Sequence, residues 1–429
     1  MTKTLVLVPI LKNNQKDNSV KDETLLAEIN SLAKAINLNV QHSSLVVLTK
    51  PRSATLFGSG KIAELCSIIN ELSIELVIVD HNLTPVQQSN LEKSFKIKVI
   101  DRTALILEIF GARAKTKEGT LQVELAHLTY QKSRLIRSWT HLERQRGGTG
   151  FMGGPGEKQI EADKRHLQDK INSLKKQLSL VVKTRELHRK NRKKKPYPIV
   201  ALVGYTNAGK STLFNKITSA NVLAKDMLFA TLDPTLRKVV LPSGNQIIVS
   251  DTVGFIANLP IMLIAAFRAT LEEVCEADLI LHVRDISNVE HNEQKNEVYK
   301  TLKYLNIDVE NSEQIIEVWN KIDLLDQEHK KEVQANIFTY NSDIFPISAE
   351  TGENVDNLLM FIDKKLYGDA KYYKLELDLN DLNKLDEVYI YGRDISRKNL
   401  DTGAIEICGK FTQTNATQLA QKGIVLEKI

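Results

Sequence analysis

The stretch that most limits what this chain can fold into is Gly204-Tyr205-Thr206-Asn207-Ala208-Gly209-Lys210-Ser211. It follows an apolar run, Ile199-Val200-Ala201-Leu202-Val203, that reads as a buried strand. It precedes Thr212–Ile217, which reads as the opening of a helix. A strand, a G-x-x-x-x-G-K-[ST] turn and a helix in that order form the phosphate-binding unit of a doubly wound, mainly parallel α/β sheet. The glycines let successive backbone N–H groups point at one polyphosphate, and the helix N-terminus adds partial positive charge. Lys210 is placed to reach the β- and γ-phosphates, and the Ser211 hydroxyl to ligate Mg²⁺. A plain Gly-containing turn with an exposed lysine is the alternative, and the flanking strand and helix argue against it. The chain is expected to bind a nucleoside triphosphate.

Further stretches follow in the order a nucleotide switch needs. Phe229-Ala230-Thr231-Leu232-Asp233-Pro234-Thr235 lies in an extended connection before a strand at Leu236–Leu241. A threonine there can close on Mg²⁺ only while the γ-phosphate is present; Thr231 is the favoured metal ligand and Thr235 the runner-up. A strand at Gln246–Ser250 then delivers Asp251-Thr252-Val253-Gly254. The Asp251 carboxylate would hold the metal through water, and the Gly254 N–H would sense the γ-phosphate. After strands at Leu279–Val283 and Gln314–Trp319 comes Asn320-Lys321-Ile322-Asp323. Asp323, an acceptor-only carboxylate, can take two hydrogens from guanine N1–H and N2–H₂, which adenine does not offer. Ser348-Ala349-Glu350 would supply a backbone N–H to guanine O6. Each short string arises by chance; their joint order on strand ends does not, and GTP is the expected ligand. Lys210, Thr231 and Gly254 are the candidate catalytic residues. Phe255 stands where many switch GTPases carry a water-orienting glutamine, so slow intrinsic turnover is expected. Asn207 is the candidate for holding K⁺ near the phosphates.

Charge is distributed unevenly. Residues 131–195 hold 19 Lys/Arg against 6 Asp/Glu, a local +13 in a chain of net charge +5, so the remainder carries −8. That asymmetry suggests a polyanionic partner. In the same region Leu121, Leu128, Leu135 and Leu142 recur every seven residues, as do Ile160, Leu167, Leu174 and Val181. Two antiparallel helices of about 30 residues, roughly 45 Å each, are expected. Between them lies Gly147–Gly156, with six glycines in ten residues. Gly148-x-Gly150-x-x-Gly153 matches the dinucleotide fingerprint but follows a helix, not a strand, so that reading is rejected. A tip that approaches RNA closely, with Phe151 and Met152 against bases, is favoured over a plain hairpin loop.

Residues 1–116 alternate strand-like runs (Leu5–Ile10, Leu45–Leu48, Leu76–Val79, Val99–Ile100) with helical patterns (Glu23–Ala35, Lys61–Leu72, Pro85–Phe95), the signature of a small α/β domain. Gly58-Ser59-Gly60-Lys61 resembles half a phosphate loop, but a turn capping a helix is the better account. The helical arm spans 117–196, the nucleotide domain 197–368, and a small α/β module 369–429. In that last module strands are expected at Leu375–Leu379, Glu387–Ile390 and Ala404–Cys408, with a helix at Asn415–Gln421. No apolar run approaches the ~18 residues that span a bilayer. The N-terminus reads as a first strand rather than a leader. Cys66, Cys275 and Cys408 have no pairing or metal spacing. A cytoplasmic monomer is expected.

The combined pattern resembles the HflX family of ribosome-associated GTPases. It is carried by Asp101-Arg102-Thr103, Ile109–Ala114, Leu121–Ala126, Gly154-Pro155-Gly156-Glu157-Lys158-Gln159-Ile160-Glu161, Asp163-Lys164-Arg165, Gly204–Ser211 and Phe229–Thr235. Gly153 and Lys164 stand where the family often has arginine. The resemblance implies binding to the large ribosomal subunit and its rRNA, with the arm reaching toward the peptidyl-transferase region. It also implies ribosome-stimulated GTP hydrolysis and GTP-dependent splitting, rescue or biogenesis. The runner-up is a signalling GTPase with a protein effector or peripheral membrane association. A small-molecule phosphotransferase comes third, and Asn320–Asp323 speaks against it.

Overall fold

The computed structural model describes residues 1–12, 19–145, 155–192, 197–218, 229, 235–257, 263, 268–309, 314–330, 344–368, 371–378, 381, 384–400, 403–411 and 413–429. The first sheet is built from β1 (Lys3–Leu11), α1 (Ser19–Ala35), β2 (Asn39–Leu48), α2 (Ser59–Glu71), β3 (Leu76–Val79), α3 (Pro85–Phe95), β4 (Lys98–Asp101) and α4 (Arg102–Arg113). Its order is β2-β1-β3-β4, parallel throughout. Parallel strands need crossovers, and helices cover both faces, so β3 is buried at every position. Turn chemistry fixes the helix starts. Thr84 and Gln87 form a reciprocal capping box ahead of Pro85, and Asp101 caps α4 by accepting from Ala104 N at 2.8 Å. β2 begins six residues earlier than the apolar run suggested, because its first half, Asn39–Ser44, is a polar stretch on the sheet edge.

The arm is α5 (Lys117–Gln145, 29 residues) and α6 (Pro155–Arg192, 38 residues), packed on each other. At 1.5 Å per residue they run roughly 44 and 57 Å. The second helix exceeds expectation because it continues into the charge run as far as Arg192. Of the heptad positions, Leu121 and Leu174 are buried together with Ile171, near the base. Residues 147–154 of the glycine-rich tip, with Phe151 and Met152, lie outside the described residues.

The second sheet comprises β5 (Ile199–Val203), α7 (Lys210–Thr218), β6 (Thr235–Val240), β7 (Gln246–Asp251), α8 (Arg268–Cys275), β8 (Leu279–Asp285), α9 (His291–Tyr304), β9 (Ile315–Asn320), β10 (Ile344–Pro346) and α10 (Val355–Tyr367). Strand order is β10-β9-β8-β5-β7-β6, with only β6 antiparallel. The phosphate loop follows β5, in the middle of this doubly wound sheet, where ligands bind beyond the carboxyl ends of strands. One apolar cluster joins the two sheets: Val6, Ile29 and Phe110 of the first lie with Ala201, Val253 and Phe255 of the second.

The last sheet is antiparallel, in order β12-β13-β11-β14, from β11 (Lys371–Leu377), α11 (Leu385–Tyr391), β12 (Arg393–Asn399), β13 (Ile405–Phe411), α12 (Gln413–Gln421) and β14 (Glu427–Lys428). Glu387–Ile390, read as a strand, is instead part of α11. Its neighbours Leu385 and Tyr391 join Val388 in the core at helical spacing, and a four-residue window does not reveal that period. The strand lies just beyond, at Arg393–Asn399, where charged residues hide it. Among the described residues, no helix is long and apolar enough to cross a membrane.

Candidate functional site

Four strand ends meet at one edge of the second sheet. β5 runs into Gly204 and the loop that closes at Lys210, the first residue of α7. Lys210 is buried, and its Nζ donates to the Tyr205 carbonyl at 2.7 Å. Burial pushes its pKa down to about 8, an effect partly offset by the Asp251 carboxylate. A bound polyphosphate favours the charged amine, so nucleotide binding near that pH draws in a proton. Calorimetry of GDP binding at pH 8 in buffers of different ionisation enthalpy should show roughly half a proton taken up. Uptake should vanish at pH 6.5, and none at pH 8 would mean that Lys210 is already charged before the nucleotide binds.

β7 places Asp251 beside β5, with Leu202 as its register partner. Ser211 Oγ donates to Asp251 Oδ2 at 2.8 Å, so a hydroxyl and a carboxylate oxygen already adjoin. Hard oxygen donors of this kind suit Mg²⁺, which takes one or two protein ligands and completes its shell with phosphate and water. No cluster of three or more His, Cys, Asp or Glu able to hold a metal exists among the described residues, as that mode of binding allows. Thr252 Oγ1 donates to the Leu202 carbonyl at 2.6 Å, which anchors the Asp-x-x-Gly segment to β5. Val253 and Gly254 follow, both buried. A methyl group on Gly254 would lie 2.9 Å from Thr206 Cγ2 and 3.1 Å from Lys210 Nζ, so the close approach of segment and loop requires glycine.

The next residue closes the approach further. Phe255 N donates to the Gly204 carbonyl at 3.1 Å, and Thr206 N to the Phe255 carbonyl at 2.7 Å, forming a parallel bridge between loop and segment. The Phe255 side chain is buried in the apolar cluster and points no hydrogen-bonding group at the loop. The Thr206 hydroxyl is buried with no hydrogen-bond partner among the described residues.

β9 delivers the third element, and the turn after β10 is the fourth. Asn320 is 2% exposed; its Nδ2 donates to the Ala208 carbonyl and its Oδ1 accepts from Ala349 N, both at 2.9 Å. One side chain thus staples the phosphate loop to Ser348-Ala349-Glu350. Gly209, at φ +88°, leaves room for it, because a Cβ there would overlap Asn320 Nδ2. Lys321 adopts φ +67° and pairs with Asp285 Oδ2 at 2.7 Å. Ile322 begins a short 3₁₀ turn, Ile322–Leu324, in which Asp323 is exposed. Ser348 is fully buried and Glu350 exposed. Asn207 is exposed at φ +61°.

The structure therefore brings Gly204–Ser211, Asp251–Gly254, Asn320–Asp323 and Ser348–Glu350 to one edge. Phe229 is buried edge-on to Phe110 of α4 at 4.7 Å, in the cluster joining the two sheets that also holds Tyr205, Val253 and Phe255. Ala230, Thr231, Leu232 and Asp233 lie outside the described residues, whereas Thr235 begins β6. Sequence reading passed over Asp285, because it ended β8 at the last apolar residue. It also passed over the Tyr205 hydroxyl, which donates to Glu28 Oε2 at 2.6 Å and accepts from Ala257 N at 2.8 Å.

Comparison with known proteins covers the chain nearly end to end. Residues 23–111 match the family profile "GTP-binding GTPase N-terminal", and 113–192 match "GTP-binding GTPase Middle Region". Residues 199–321 match "50S ribosome-binding GTPase", and 335–428 match "HflX C-terminal domain". GTPase HflX of Magnetococcus marinus is 48% identical over 385 residues, covering 90% of this chain and 85% of that protein. GTPase HflX of Escherichia coli is 42% identical over 361 residues, covering 83% and 82%. A solved GTP-binding protein from Sulfolobus solfataricus in complex with GDP aligns with a TM-score of 0.45 at 23% identity, over 85% of this chain and 98% of that one. On the profiles and the curated relatives, with the phosphate loop and Asn320–Asp323 at one strand edge, the chain belongs to the HflX family and is a GTPase.

Proposed function

We propose that this GTPase is a factor of the large ribosomal subunit, engaging rRNA through its basic arm and acting in ribosome splitting, rescue or biogenesis. The observation that carries the reading is the charge on the helix pair: residues 131–195 hold +13 while the rest of the chain holds −8. A long basic lever on an acidic body suits a structured polyanion. The description of the matched profile, a 50S ribosome-binding GTPase, names the class of polyanion. The four-part division at 116, 196 and 368 belongs to the same reading, with the arm as a unit between the first domain and the nucleotide domain.

In this reading the chain's residues hold and sense the nucleotide. Lys210 and the loop amides bind the β- and γ-phosphates, Ser211 and Thr231 ligate the metal, and Asp251 orients its water. Bound Mg²⁺ would neutralise charge developing on the transferred phosphoryl group. Gly254 N–H reports the γ-phosphate, while Asp323 and the Ala349 amide read guanine. Phe255 cannot orient water, so turnover of the free protein is slow and rises when a partner orders the loops. Asn207 favours K⁺ beside the phosphates; equal hydrolysis rates in saturating K⁺ and Na⁺ would remove that assignment.

Gradient co-sedimentation with ribosomal subunits tests the main claim. A non-hydrolysable GTP analogue should raise association with the large subunit about tenfold or more over GDP, the range of ordinary allosteric coupling. Replacing residues 147–156 by a short Gly-Ser link should leave GTP binding intact and abolish ribosome-stimulated turnover. Equal sedimentation in all nucleotide states, or binding to anionic vesicles without subunits, overturns the reading.

A further inference from the structure

At the start of α4 two adjacent residues face different parts of the molecule. Asp101 receives the arm: Tyr130 OH donates to its Oδ1 at 2.8 Å, and Arg134 pairs with its Oδ2. Arg134 also donates to Gln88 and to the Leu83 carbonyl, so the middle of α5 is tied to the first domain at several points. Arg102 receives the nucleotide domain. It pairs with Asp80 at 2.7 Å and with Glu28, and Nη2 donates to the carbonyl of Ala257 at 3.2 Å. Glu28 in turn accepts from Tyr205 OH, and Tyr205 accepts from Ala257 N. The residue three positions beyond Gly254 is therefore gripped at both its carbonyl and its amide. One grip comes from the first domain directly, the other through the phosphate loop's own tyrosine.

This network is enclosed. Arg102 is 7% exposed and Tyr205 7%. Burial works against the charge on Arg102, but Asp80 and Glu28 more than offset it, so the guanidinium stays charged. Burial, then the Glu28 charge, hold the Tyr205 phenol protonated as a donor. Buried, multiply bonded groups of this kind move together rather than singly. The far end of α4 carries Phe110, packed against Phe229. The same helix thus bears on both segments expected to respond to the nucleotide.

We propose that Arg102 and Tyr205 are positioning residues that hold the segment after Gly254 down on the phosphate loop, and that the arm bears on them through Asp101. In the arrangement described, Phe255 is bridged to the loop and Gly254 is pressed against Thr206. For Gly254 to turn toward a terminal phosphate, Ala257 must be let go. Displacement of α5 at Tyr130 and Arg134 shifts Asp101, and with it Arg102, which loosens that grip. The inference rests on the reading of the arm as the part that meets RNA, and supplies the route by which the meeting reaches the nucleotide.

The test uses the full-length chain without ribosomes, so its failure is separable from failure of the sedimentation experiment. Tyr205→Phe and Tyr130→Phe each delete one hydroxyl and keep the ring. Affinities for GDP and for a non-hydrolysable GTP analogue are measured by fluorescence titration. Tyr205→Phe should raise the analogue-to-GDP affinity ratio about 3- to 10-fold, the size of one net hydrogen bond. Tyr130→Phe should raise it in the same direction, and the double variant should fall well short of the product of the two. Tyr299→Phe, which removes a hydroxyl bonded to Glu317 at 3.3 Å in the same domain, should leave the ratio unchanged. Arg102→Lys should behave as Tyr205→Phe, because an ammonium cannot reproduce the planar fork. If Arg102→Lys melts early, the tyrosine variants decide alone. A ratio that falls or stays constant in Tyr205→Phe, or fully multiplicative effects in the double variant, overturns the proposal.

Discussion

Replacing Asp323 by asparagine should move the base preference of this GTPase from guanine to xanthine. In the proposed reading the carboxylate accepts from two donors on guanine, N1–H and N2–H₂. An asparagine amide keeps one acceptor but turns a donor toward N2–H₂, and two donors then face each other. Xanthine carries a carbonyl at that position and pairs with the new donor. Sites built on such hydrogen bonds discriminate strongly, so GDP affinity should fall by about 10²- to 10⁴-fold while xanthosine diphosphate gains. Asp323 is exposed in the 3₁₀ turn, and the substitution keeps its shape, so melting should change little. Competition between GDP and XDP for a fluorescent guanine nucleotide reads the result. Undiminished guanine selectivity would assign base recognition to other residues.

Asn320→Ala should cost both nucleotide binding and the stability of the domain. The buried amide satisfies the Ala208 carbonyl and the Ala349 amide, and alanine leaves both groups in a pocket closed to water. Each orphaned group costs roughly 1–3 kcal/mol, so a loss of about 2–6 kcal/mol in unfolding free energy is expected. GDP affinity should drop at least about tenfold, because the phosphate loop and the Ser348–Glu350 turn lose the side chain that sets their spacing. Asn320→Asp separates the two bonds: the carboxylate still accepts from Ala349 N but cannot donate to Ala208 O. Gly209→Ala, whose methyl would displace the Asn320 amide from the opposite side, should reproduce the loss. Thermal melts paired with GDP titrations check all three, and an Asn320→Ala protein that binds GDP normally refutes the staple.

Much of the site was legible because its parts are short and local. The span from Gly204 to Ser211 needs only a strand before it and a helix after it, and both are present as β5 and α7. The heptad leucines announced the arm because side chains seven apart share one helix face whatever lies around them. Glu387–Ile390 failed for the complementary reason. Four residues cannot distinguish a period of 2 from one of 3.6, and packing of Leu385, Val388 and Tyr391 made them a helix. Phe229 shows a different limit: nothing around it in the sequence marks Phe110 as its packing partner.

The sequence by itself determined the chemistry available: a phosphate-loop pattern, a carboxylate suited to guanine, a phenylalanine where water is often oriented, and a basic lever. Such features are set by residue type and by spacings along a few turns of backbone. Only the tertiary structure decided how those parts are joined. Tyr205 meets Glu28 across 177 residues of chain, and Arg102 meets Ala257 across 155. No periodicity or motif marks partners so far apart, because their proximity comes from the docking of two separately wound sheets through one apolar cluster.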